Sequence, residues 1–147
     1  VHTALPDVQS AHVWAVFGLG AVPACFLWHG LHERLGTRTA LQWNLAVQAL
    51  GVGLPVMADS ATSYMLSALL VGGTFTGTVT IAMPAAQRLA RQTGTNLLAI
   101  MTFVYSVGQI IGPVLAEMLH SYSHSFTSAL AMASSALLLS LVLSVRL

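Results

Sequence analysis

Five apolar runs, each about twenty residues or longer, dominate the chain, at about 11–31, 40–58, 63–87, 96–119 and 126–145. Only the fourth contains a charged residue, Glu117. A helix rises 1.5 Å per residue, so each run is long enough to cross a hydrocarbon core of roughly 30 Å. Charged residues make up 6% of the chain, and apolar ones 56%. Soluble domains carry roughly a quarter charged residues, and a surface this poor in charge would not stay dispersed in water. The pattern predicts an all-α membrane protein of five transmembrane helices, with residues 1–147 forming one transmembrane domain.

The arginines test that count. Five spans place the loops alternately on two sides. Arg34, Arg38, Arg88, Arg91 and Arg146 then all fall on one side, and Asp7, Asp59 and the polar turn His120–Ser125 (HSYSHS) on the other. One miscounted span would scatter them. The positive-inside rule makes the arginine loops and the C-terminus cytoplasmic.

Several classes are disfavoured. Net charge is +1 with no basic patch, which argues against nucleic acid as a partner. A single cysteine, Cys25, excludes an internal disulfide. The chain begins Val-His-Thr without a basic n-region, so the start is not a signal peptide and reads as the middle of a longer chain. No Gly-x-Ser-x-Gly elbow, P-loop or His-Glu-x-x-His motif is present, so neither an enzyme nor a cofactor is expected. His120 and His124 have helical spacing, and His29 and His32 flank the arginine loop. They read as loop-surface histidines, and no metal site is expected.

Polar residues inside spans are costly and often line pathways. In the fourth span Thr102, Ser106, Gln109, Pro113 and Glu117 fall within one narrow arc at 100° per residue. Gln109 lies roughly 18 Å deep, near the midplane. Gly108 and Gly112, on a neighbouring face, have the spacing that lets another helix approach closely, and Pro113 removes a backbone hydrogen bond. In the third span Thr74 and Thr78 share a face at similar depth, and Gly73 and Gly77 repeat the small-residue spacing. Thr74, Thr78, Thr102, Ser106 and Gln109 are therefore candidate substrate-cavity residues, and Glu117 is a candidate proton-coupling acid. The plainer reading is hydroxyls bonded to their own helix, glycines used for packing, and a hydrated Glu117. Asn44 and Gln48 read as interhelical ties.

The segment Trp28–Leu41, WHGLHERLGTRTAL, resembles the signature of major facilitator superfamily (MFS) transporters between helices two and three, repeated between eight and nine. Leu31, Glu33, Arg34, Gly36 and Arg38 match its type and spacing. His29, His32 and Thr37 depart from it, standing where the family has Gly, Ala and a basic residue. Gly108–Pro113 (GQIIGP) is similar to a pattern of helices five and eleven, and Leu70–Ala90 resembles helix ten of an uncharacterised bacterial branch.

This resemblance implies helices eight to twelve of a twelve-helix carrier, a partial six-helix half-bundle in a bacterial inner membrane. It implies alternating access to a small-molecule substrate, coupled to protons if Glu117 takes that part, with the missing N-terminal half as partner. Glu33, Arg34, Gly36 and Arg38 would form its gating loop. The competing reading is a non-transporting scaffold or a truncated remnant of a transporter gene. A membrane haem protein would need histidines facing each other within the bilayer, whereas all six lie at span ends or in loops.

Overall fold

The computed structural model describes residues 10–58, 60–123 and 127–145. Asp7, Asp59, His124, Ser125 and Arg146 lie outside the described residues. The described chain forms α1 (Ser10–Met57), α2 (Ala61–Thr93), α3 (Leu97–Ser123) and α4 (Thr127–Ser144). All four are long and apolar enough to cross a membrane.

The expected five separate spans thus become four helical elements. The difference lies in α1. Residues 32–39, expected as a loop, are helical on both sides of a single break at Gly36, where φ is 81° and ψ 164°. That backbone region is essentially reserved for glycine. Helix-favouring Glu33, Arg34 and Leu35 carry the helix up to it.

The break folds α1 back on itself. Residues 28 and 44 would be roughly 24 Å apart on a straight rod. Yet Trp28 Nε1 donates to Gly73 O at 2.7 Å, and Asn44 Nδ2 donates to the adjacent carbonyl of Thr74 at 3.0 Å. Gly20 and Gly51 likewise both approach Leu69–Val71, although a straight helix would separate them by roughly 46 Å. α1 is therefore a hairpin of two arms, residues 10–35 and 37–57, laid side by side on α2.

The other ends follow local chemistry. Ser60 caps α2, accepting from Ser63 N at 3.2 Å. Gly94, at φ 68°, ends it in the left-handed conformation, donating to Ala90 O at 3.0 Å. The expected loop 88–94 is thus mostly two further turns of helix, built from good helix formers up to Thr93. Asn96 Oδ1 accepts from Ala99 N at the start of α3. The polar turn is also helical as far as Ser123.

Candidate functional site

Packing is tightest where α2 meets the α1 hairpin. A Cβ on Gly72 would run into the backbone of Phe17, and one on Gly20 into the carbonyl of Leu69. A Cβ on Gly77 would strike the Asn44 amide and the Trp28 indole. With lipid on the outside, close backbone approach through small residues is the main way such helices hold together. Gly73 is looser, with Gly20 O at 3.5 Å from its built Cβ.

A polar cluster sits in this seam. Asn44 is fully buried. Its amide nitrogen donates to Thr74 O, and its oxygen accepts from Thr78 Oγ1 at 2.7 Å. Gln48 Oε1 lies 3.5 Å from the same hydroxyl. The expected interhelical role of Asn44 is what the structure contains. Thr74 is buried too, and its hydroxyl bonds to Leu70 O and Val71 O of its own helix. An apolar cavity of about 330 Å³, lined by Trp28, Val47, Leu70 and Thr74 among others, lies beside this cluster.

The other candidates stand apart from it. Thr102, Ser106, Gln109, Pro113 and Glu117 are all exposed on α3, and none of that helix's apolar stretch is buried. Ser106 Oγ bonds to Thr102 O at 2.8 Å, and Gln109 Nε2 to Tyr105 Oη at 2.8 Å. Nothing approaches within 4 Å of where a Cβ would sit on Gly108 or Gly112. Among the described residues no hydrogen bond joins the Thr74–Thr78 face to the α3 stripe. The two polar faces that the sequence marks at similar depth are one packed and one open.

At the Gly36 end the charges gather. Glu33 pairs with His29 at 3.4 Å, one helical turn back, with both side chains largely exposed. Arg34 is exposed. Arg38 Nη2 donates to Val145 O at the end of α4. A polar cavity of about 400 Å³ is lined by His32, Glu33, Gly36, Thr37 and Arg88. These contacts place Arg34, Arg38, Arg88 and the C-terminal end of α4 at one end of the bundle. His32 corrects an expectation. It is 8% exposed, not a loop-surface histidine, and its Nδ1 has no hydrogen-bond partner among the described residues. Helix on both sides of Gly36 turns it inward, which a loop reading could not anticipate.

Trp28 and the Gly20–Gly72 approaches were missed as packing groups. The partner of Trp28 and the partner across each glycine are visible only once the hairpin closes.

Apolar helices held by small-residue seams and a buried amide, with Arg34, Arg38 and Arg88 gathered at one end, define an integral membrane protein of the polytopic type. The chain belongs to the family described as "Uncharacterised MFS-type transporter YbfB", whose model matches residues 2–145. It is thus an MFS-type transporter of an uncharacterised branch. No curated protein and no solved structure matches.

Proposed function

We propose that the chain supplies helices eight to twelve of a longer twelve-helix carrier, a secondary transporter that moves a small molecule by alternating access. In this reading the two arms of α1 cross the membrane separately, giving five crossings, with the arginine end in the cytoplasm. That orientation rests on the positive-inside rule. The arginines and the polar cavity they flank at one end support it.

The observation that carries the reading is α3. Its polar stripe is uncovered, and a stripe of Thr102, Ser106 and Gln109 cannot face lipid without cost. A water-filled path completed by the other half-bundle is the environment that suits it. Gln109 is then the first candidate to touch substrate. Thr74 and Thr78, held by Asn44, remain cavity candidates on the seam between α1 and α2. Glu117, exposed toward the far end of the stripe, is the candidate proton carrier, and Glu33 with Arg34 the candidate gating pair.

The test uses membrane vesicles carrying the full-length protein, incubated with a cell metabolite extract and read by untargeted mass spectrometry. At least one compound should accumulate only when the protein is present. Gln109→Ala should reduce that accumulation by about tenfold at normal membrane abundance, the loss expected for a substrate hydrogen bond. Undiminished accumulation in Gln109→Ala would remove Gln109 from the path.

A further inference from the structure

Two histidines set the segment Trp28–Leu41 apart from the signature it resembles, and they change how the groups at the Gly36 break are paired. His29 pairs with Glu33 at 3.4 Å, one turn back along the first arm. Glu33 is the one acid among the residues lining the polar cavity, and Arg88 of α2 is the one guanidinium. The two do not pair with each other. Arg88 is exposed and makes no hydrogen bond or ion pair among the described residues.

His32 lines the same cavity. It is buried, it makes no hydrogen bond among the described residues, and its Nδ1 is shut off from solvent as well. A buried imidazole in this position has lost its hydration without gaining a partner. Gly36 and Thr37 complete the lining, where the second arm of α1 begins. The first amides of a helix have no acceptors within it, and that end carries the positive pole of its dipole. A guanidinium, an imidazole, a hydroxyl and a helix start all offer donors to the same space. The cavity holds about 400 Å³. At roughly 30 Å³ for each water of the liquid, that is room for a phosphate group with water around it.

We propose that this cavity is an oxyanion site, in which Arg88, His32 and the start of the second arm hold a phosphate group, carried by a free inorganic anion or by a lipid headgroup. Arg88 supplies the charge, and the buried His32 supplies the hydrogen bond that it otherwise lacks. Glu33 is the group that opposes an anion here, and its pairing with His29 offsets that opposition. The site does not rest on the transport reading. It needs only the Gly36 break and the seam between α1 and α2.

The test uses delipidated full-length protein in dodecyl maltoside, which carries no phosphate. Phosphorus NMR relaxation of added inorganic phosphate should show saturable binding. Arg88→Gln and His32→Ala should each weaken it about tenfold, the scale of a lost hydrogen bond to a charged group. His32→Gln keeps a donor and should retain part of the affinity. Glu33→Gln should strengthen binding, and Arg34→Gln, outside the cavity lining, should leave it unchanged. In a second arm, native mass spectrometry should find phosphatidylglycerol retained over diacylglycerol, with the same dependence on Arg88 and His32. Binding in the first arm alone assigns a free anion, and tighter retention in the second assigns a headgroup. The proposal is overturned if neither probe binds saturably. It is overturned equally if Arg34→Gln weakens binding as much as Arg88→Gln, or if both His32 variants bind like wild type, since either result leaves only attraction to surface charge.

Discussion

A methyl group separates two kinds of glycine in this chain. At Gly77 an added Cβ has no room between the Asn44 amide and the Trp28 indole. At Gly108 it meets nothing within 4 Å. Gly77→Ala is therefore predicted to lower the unfolding free energy in mixed micelles by about 1–3 kcal/mol, the usual scale of overpacking. Gly108→Ala should be neutral in the same measurement, and equal effects would contradict the packing described. Asn44→Ala should cost about 0.5–2 kcal/mol, since it removes two interhelical hydrogen bonds in an environment where each is of modest strength. An unchanged unfolding midpoint would show that the seam does not need the amide. The sequence marks Gly77, Asn44 and the Thr74–Thr78 face correctly as polar or small within a span. It cannot mark Gly20 or Gly72, because a lone glycine in a transmembrane helix is common and its partner, Leu69 or Phe17, is identified only by the fold.

Elements are legible where hydropathy changes slowly and illegible where one residue decides. The connections expected at 32–39 and 88–94 shrink because helix formers carry α1 through residues 32–35 and extend α2 to Thr93. What remains of the first connection is Gly36 alone. Its φ of 81° with ψ of 164° is open to glycine and strained for any other residue. Gly36→Ala is predicted to cost about 1–3 kcal/mol, read as the same unfolding free energy. Gly94 makes the control. At φ 68° and ψ 3° it occupies the left-handed region that asparagine tolerates, so Gly94→Asn should be nearly silent. If Gly36→Ala is equally silent, the α1 hairpin does not turn as described. The polarity of residues 28–41 is plain in the sequence. That this segment is two helices meeting at a glycine, with His32 folded inward, depends on backbone angles that composition does not encode.

The whole molecule divides into a packed part and an open one. The α1 hairpin, α2 and α4 share close seams, while α3 stands with its polar stripe and its Gly108–Gly112 face uncovered. Membrane class follows from charge spacing and survives in the fold, as does the gathering of Arg34, Arg38 and Arg88 at one end. Which polar face is packed and which is open does not follow, because both have the same composition and periodicity. The crossing pattern predicts that, with Cys25→Ser, single cysteines at Thr39 and Ser121 react with impermeant maleimide from opposite sides of sealed vesicles. Reaction from the same side would remove the five-crossing reading. The central claim, that the α3 stripe borders a water-filled path, has a more direct test. Single cysteines at Thr102, Ser106, Gln109 and, as controls on the opposite face of the helix, Val104 and Ile111 would be placed in the full-length protein lacking Cys25. Their reaction rates with a charged thiosulfonate reagent would then be compared. Rapid modification is predicted at 102, 106 and 109, and slow modification at 104 and 111. Equal, slow modification at all five positions would contradict it.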